Sequence, residues 1–314
     1  MPLDKDMADI LERMARANVP DYPEMGAVLA REFIDKNLPV IDVRPVPVHQ
    51  VQDIQVDGWQ GASLNARLYT PREASWTAPL PVLLWFHGGG FTVGSITSYD
   101  AVCRMLCVTG DVAVLSIDYR LAPEAKFPTA AMDAYTSYQW LRVHAADYGL
   151  DSNKIIIGGD SAGGTLSAAT CLMARDAGLP QPLLQLLVYP GTCGYGETSA
   201  YQEYALGYRL TKPIIDWFFG NYLNSDDDRR DVRFAPLYAE SHANLAPAWI
   251  AIAEYDPLAD DGRLYAKKLQ ESGVAAQCVQ YDGVIHGFLT MGGVIARTHE
   301  LHADMAEAIQ TALQ

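Results

Sequence analysis

The chain has 314 residues, 49% hydrophobic and 19% charged, enough for one large domain with a sizeable buried core. Its 23 basic and 38 acidic side chains give a formal charge of −15. Such a surface repels nucleic-acid phosphates and anionic lipid headgroups, which excludes both as partners and leaves neutral or hydrophobic small molecules. Nowhere do about 18 uncharged apolar residues run together, so no membrane span is expected. The opening Met-Pro-Leu-Asp-Lys-Asp has neither a basic nor an apolar leader segment. Cys103, Cys107, Cys171, Cys193 and Cys278 are odd in number and scattered. A reduced, cytoplasmic protein whose cysteines pack as small hydrophobes is the expectation.

Residues 1–37 carry helical periodicity, with Met7, Ile10, Leu11 and Met14 on one face. Two extended segments, 48–56 and 63–69, are separated by Asp57-Gly58 and Gly61, which predicts an antiparallel hairpin. From residue 81 the rhythm becomes short apolar strand, then helix. Strands are predicted at 82–86, 112–117, 154–157, 184–189, 249–253 and 276–281, and helices at 99–108, 131–144, 164–177, 263–272 and 298–313. That alternation implies parallel βαβ units in a doubly wound sheet, eight-stranded with the hairpin, mostly parallel, with helices on both faces. The whole of 1–314 reads as a single α/β domain.

The rhythm breaks between Pro190 and Ala248, far longer than an ordinary strand-to-helix connection. A helix over 211–223 is expected there, with Thr211 as N-cap and Pro213 in its first turn, then Asp226-Asp227-Asp228 as a solvated loop. Residues 191–245, with 1–45, are expected to form a helical cap over one end of the sheet.

Reactive side chains in such a sheet collect beyond the carboxyl ends of its strands. Gly159-Asp160-Ser161-Ala162-Gly163 falls between a predicted strand and a predicted helix. A nucleophile on that sharp turn needs small neighbours, and the helix N-terminus adds partial positive charge beside the Ser161 hydroxyl. His87-Gly88-Gly89-Gly90 ends the strand 82–86, and its glycines let backbone N–H groups face a ligand. Two N–H groups from 88–90, with that of Ala162, would form an oxyanion hole. A serine needs a base and the base an orienter, here in the chain order Ser, acid, His. Among the later histidines, His286 lies in the loop after the last strand. His242 falls in a polar loop, while His299 and His302, at i and i+3 of a helix, read as surface imidazoles rather than a metal pair. Asp256 follows the strand 249–253; Asp260 is the other candidate acid, although Asp260 and Asp261 suit the cap of the helix starting near Arg263.

These residues resemble the hormone-sensitive-lipase-like esterases, the bacterial family IV carboxylesterases of the GDSAG type. The resemblance rests on His87–Gly90, Asp118-Tyr119-Arg120-Leu121-Ala122-Pro123-Glu124, Gly159–Gly164, Asp256-Pro257-Leu258 and His286-Gly287-Phe288, in the family's order. It implies an α/β-hydrolase fold with Ser161 as nucleophile, His286 as base and Asp256 as orienter. It further implies an oxyanion hole from Gly88, Gly89 and Ala162, a structural role for His87, and a brace for the glycine loop in 118–124. Members commonly hydrolyse short-to-medium acyl esters without a cofactor, so no cofactor or metal is expected. Rival readings are an amidase or aminopeptidase on the same machinery and a non-catalytic small-ligand receptor. Tyr189, Tyr195, Tyr208, Trp217 and Phe218 are candidate pocket residues, and the strand 276–281 is an edge through which two copies can pair as a homodimer.

Overall fold

A computed structural model describes residues 2–314 except Trp76, Tyr195 and Glu197. Eight strands form its sheet: β1 (Gln50–Asp57), β2 (Ser63–Thr70), β3 (Leu80–Phe86), β4 (Ala113–Ile117), β5 (Leu150–Asp160), β6 (Gln185–Val188), β7 (Ala248–Tyr255) and β8 (Ala276–Ile285). Their spatial order is β1-β2-β4-β3-β5-β6-β7-β8. β2 pairs antiparallel with both β1 and β4, and every pairing from β4 to β8 is parallel.

The central strands are continuous apolar runs because helices cover both sheet faces. Strand residues alternate between them. Val82, Leu84 and Phe86 of β3 share one core with α4 (Thr129–His144), α5 (Ala162–Asp176) and α8 (Ala259–Glu271). Leu83 and Trp85 enter the opposite core with α3 (Asp100–Gly110) and α9 (Ala296–Ala312).

The N-terminal periodicity resolves into α1 (Lys5–Ala17) and α2 (Tyr22–Ile41), the second kinked at Gly26, whose φ is 73°. Met7 is buried and Ile10 and Leu11 half-buried, whereas Met14, expected on the same face, is 38% exposed. The N-cap of α1 is tied to β8, where the Asp4 N–H donates to Gly283 O at 2.8 Å.

Two local expectations are corrected. α8 begins at Ala259, so Asp260 and Asp261 lie inside its first turn instead of capping it. Their carboxylates turn to the inserted segment: Asp261 Oδ2 accepts the N–H of Thr192 at 2.8 Å and of Cys193 at 2.7 Å, and Asp260 accepts that of Ala200 at 2.9 Å. The acidic run is a 3-10 turn, Asp226–Arg230, because Ser225 and Asp228 cap each other's backbone. The insertion carries two helices, α6 (Ser199–Glu203) and α7 (Lys212–Tyr222). Thr211 is the N-cap residue of α7 but its side chain makes no capping bond, and Pro213 sits in the first turn.

Cys103, Cys107, Cys171 and Cys193 are buried thiols and Cys278 is half-buried. No helix among the described residues is long and apolar enough to cross a membrane.

A buried carboxylate ties the hairpin to this frame. Asp133 of α4 has no solvent exposure and accepts the Trp59 N–H at 2.9 Å, together with Arg120 Nε at 2.9 Å and Nη2 at 2.6 Å. Removing one member of a buried pair strands the other charge, and Arg120 is 35% exposed, so the low end of that penalty applies. Asp133→Ala is expected to lower unfolding free energy by about 3 kcal/mol in urea titration. A loss under about 1 kcal/mol would show the pair to be dispensable.

Candidate active site

β5 ends at Asp160 and α5 begins at Ala162, so Ser161 alone makes the turn. Its φ of 53° and ψ of −120° lie outside the ordinary regions for a side-chain-bearing residue, a strain held by its surroundings. The crossing is possible only without side chains two residues away on each flank, at Gly159 and Gly163. A Cβ at Gly163 would stand 1.9 Å from Phe86 O, and one at Gly159 2.4 Å from the same oxygen. The Ser161 N–H is fixed to Val188 O at 2.8 Å.

His286 follows β8 and directs Nε2 at Ser161 Oγ, 2.9 Å away. Its Nδ1 lies 2.7 Å from Asp256 Oδ2. A carboxylate only accepts, so Nδ1 carries the proton and Nε2 is the acceptor facing the hydroxyl. Asp256 is fully buried after β7, and its second oxygen accepts the Leu258 N–H at 2.8 Å. Tyr189 lies against the imidazole, ring centroids 4.5 Å apart. Asp260 instead pairs with Arg263 at 2.7 Å, so Asp256 is the acid that meets His286.

The glycine loop runs beside the serine. Gly89 has φ 114° and Gly90 φ 56°, and a Cβ at Gly90 would fall 2.2 Å from the Phe218 ring. Gly88 departs from the expectation: its N–H donates to Asp160 Oδ1 at 2.8 Å and is not free for a ligand. The N–H groups of Gly89, Gly90 and Ala162 make no hydrogen bond to another described residue. Asp160 also accepts the Tyr99 hydroxyl at 2.9 Å and, more distantly, that of Tyr189 at 3.4 Å. Burial pushes its pKa up to about 6, against the stabilising pull of the Tyr99 bond, the nearby His286 and the Gly88 N–H.

His87 is buried, its Nδ1 2.7 Å from Gly88 O and its ring stacked on Tyr119. Tyr119 Oη donates to His87 O at 2.8 Å, and the Ala122 N–H donates to Phe91 O at 2.8 Å. Residues 118–124 thus brace the loop from behind. Arg31 of α2 joins them, donating to Thr92 O at 2.8 Å and to Ala122 O at 2.6 Å, and pairing with Glu124.

A cavity of about 150 Å³ opens onto Ser161 and His286. Its apolar wall comes from Tyr22, Ile34 and Leu38 of α2 and from Tyr201, Ile214 and Phe218 of the insertion. Of the aromatic candidates, only Phe218 among the described residues lines it. Tyr189 underlies His286, Trp217 packs on Tyr22 and Phe218, Tyr208 packs on Tyr204 and Tyr255, and Tyr195 lies outside the described residues.

With this geometry, the sequence profile of the alpha/beta hydrolase fold matches residues 83–290. The chain belongs to the α/β-hydrolase family. Within that family it falls in the hormone-sensitive-lipase-like branch of bacterial esterases. It is 43% identical over 274 residues to the carboxylic ester hydrolase LipN of Mycobacterium tuberculosis, covering 83% of this chain and 72% of that one. It is 38% identical over 263 residues to the ethyl acetate hydrolase of Pseudomonas putida, covering 83% and 82%. The solved structure of an ester hydrolase from the metagenome of Lake Arreo, complexed with a bipyridine phosphonate derivative, superposes at TM-score 0.95 with 34% identity over 99% of both chains. The hyperthermophilic esterase of Pyrobaculum calidifontis superposes at 0.91 with 36% identity over 100% of this chain and 99% of that one. With a serine, histidine and aspartate in array and relatives of this kind, the α/β hydrolase is a carboxylic ester hydrolase.

The remaining histidines stand apart from the site. His242 is buried with Nε2 3.0 Å from Pro236 O, within the insertion. His302 is not a surface imidazole: it is buried with Nε2 3.0 Å from Leu289 O, and burial pushes its pKa down to about 4. His299 is exposed. Its spacing from His302 spans the boundary between core and solvent on α9.

Asp261 lines the cavity from beneath, and burial pushes its pKa up to about 7 despite two backbone donors. In the unfolded chain such a carboxyl ionises near pH 4. The folded state therefore holds an extra proton between about pH 4 and 7, and stability is lost as pH rises through that window. Unfolding free energy is expected to decline between about pH 4 and 7 in the wild type. Asp261→Asn should flatten the decline by up to about 1.4 kcal/mol per pH unit. Parallel curves for the two proteins would show that Asp261 does not titrate there.

Proposed function

We propose that this α/β hydrolase cleaves short-to-medium acyl esters through an acyl-enzyme intermediate. Ser161 is the nucleophile, His286 the general base and acid, and Asp256 the residue that orients the imidazole. The observation that carries the reading is the unbroken array of Ser161 Oγ, His286 and buried Asp256, at 2.9 and 2.7 Å, opening onto an apolar cavity. That cavity, about 150 Å³, matches in size an engineered one that holds benzene, which supports small acyl or aryl groups.

Ser161 Oγ bonds to the ester carbonyl carbon as its proton passes to His286 Nε2. Asp256 stabilises the resulting imidazolium. The carbon–alkoxy bond then breaks, and Nε2 returns the proton to the leaving alcohol. Water, giving its proton to the same nitrogen, attacks the acyl-serine and releases the acid. The negative carbonyl oxygen needs donors already aimed at it. We assign that role to the N–H groups of Gly89, Gly90 and Ala162, with Gly88 serving indirectly through Asp160. Support comes from the commitment of the Gly88 N–H and the freedom of the other three among described residues. Residues 1–45 and 191–245 act as a cap that shapes the substrate cavity, a reading supported by their shared share of its wall.

Ser161→Ala is expected to reduce hydrolysis of a p-nitrophenyl ester by about 10⁴-fold or more while leaving the thermal unfolding profile intact. Retention of over half the wild-type rate would remove Ser161 from the mechanism. Faster turnover of the matched anilide than of the ester would make the protein an amidase. A phosphonate adduct on Ser161 should place its phosphoryl oxygen about 3 Å from the N–H groups of Gly89, Gly90 and Ala162. A contact to Gly88 N instead would restore that residue to the oxyanion hole.

A further inference from the structure

Arginines in this chain are almost all engaged. Those at 31, 67, 104, 120, 229, 233 and 263 are ion-paired, and Arg142 donates to Ser152 O. Among the described residues, Arg44, Arg209 and Arg230 have no acceptor in the protein. Arg44 and Arg230 are exposed, where water satisfies them, but Arg209 is half-buried and lines the cavity over Ser161. A guanidinium offers five N–H donors in a flat fork and keeps its charge in proteins. Lining the cavity with Leu210, Ile214 and Phe218 and lacking a protein acceptor, it keeps its donors open to a substrate group.

The backbone holds it there against resistance. Arg209 has φ 66°, left-handed backbone that costs a residue with a side chain about 1 kcal/mol. The turn around it is closed by Leu210 N–H donating to Tyr208 O and Lys212 N–H donating to Ala205 O, both at 2.8 Å. Strain of this kind collects at ligand clamps. The other acids facing the cavity, Asp160 and Asp261, are engaged by backbone N–H groups and leave the cation uncompensated.

Position gives the cation a definite half of the substrate. Arg209 Nη1 would lie 3.7 Å from a Cβ at Gly287, so the guanidinium stands beside the residue that follows His286. His286 returns its proton to the leaving alcohol, so the alcohol portion of the ester occupies the histidine side of the cavity. A planar anion on that portion would meet the fork in the bidentate geometry that carboxylates and guanidinium share.

We propose that Arg209 selects esters whose alcohol portion carries a carboxylate. The proposal rests on the ester-hydrolase reading and narrows it to a substrate class. The test compares meta-acetoxybenzoate with the neutral meta-acetoxybenzamide, and reads the ratio of their kcat/KM values, which cancels any loss of folded enzyme. In Arg209→Gln that ratio should fall about tenfold or more, as for a lost charge-assisted hydrogen-bonded pair. Arg209→Lys, which keeps the charge without the fork, should recover part of it, and salt should depress the wild-type ratio. A ratio unchanged within about twofold in Arg209→Gln overturns the proposal. So does a fall confined to a carboxylate on the acyl side, read with monophenyl succinate against phenyl butyrate. Absence of any turnover of the neutral acetate by wild type overturns the ester-hydrolase reading, and this one with it.

Discussion

The crossing of β5 into α5 is the constraint from which the site follows. A parallel strand and the helix behind it approach so closely at Gly159 and Gly163 that the Phe86 carbonyl fills the space a side chain would need. The chain turns there in one residue, and that residue takes a conformation few side chains tolerate. The outcome is a hydroxyl thrust out at a helix N-terminus, where unpaired N–H groups and the helix dipole already favour negative charge. Histidine and acid arrive from the ends of β8 and β7, further along the same sheet edge. Parallel order brings those carboxyl ends together, whatever the distance between them in sequence.

Asp160 converts this turn into a joint between two loops. It lies next to Ser161, yet its hydrogen bonds go to the glycine loop 72 residues away and to the tyrosines just before α3 and just after β6. A buried carboxyl with a raised pKa is costly unless its oxygens are satisfied, and here each oxygen accepts a donor. The glycine loop is therefore held from two sides, by Asp160 in front and by Tyr119 and Arg31 behind.

Much of this was legible in the sequence because burial on both faces leaves a plain signature. Strands such as Leu80–Phe86 are unbroken apolar runs, and all eight were placed in order. Ser161, Asp256 and His286 were legible because their loops follow strands whose order fixes where they meet. Helix starts were not, since the first turns of α5 and α8 are glycine or acidic residues that carry no apolar period. The Gly88 N–H bond to Asp160 was not legible for a related reason: which of three adjacent N–H groups is engaged depends on a carboxylate distant in sequence. A polar ring on a helix reads as solvated from sequence, and only the Leu289 carbonyl beneath it sets His302 in the core. The cavity wall was nearly invisible, because Tyr22, Ile34 and Leu38 belong to a helix whose place over the sheet no local pattern records.

Arg31 links the two halves of that picture. One face of α2 supplies cavity wall through Ile34 and Leu38, while Arg31 on the same helix grips carbonyls next to the glycine loop. Substrate range and turnover are consequently inherited through a single element. A lineage that repacks α2 to admit a new ester also shifts the anchor of the glycine loop beside Ser161. The inserted segment is tied to the same loop, since Phe218 fills the space beside Gly90 and Tyr222 stacks on Phe91 at 4.2 Å, so a change of wall on either side is felt at the loop.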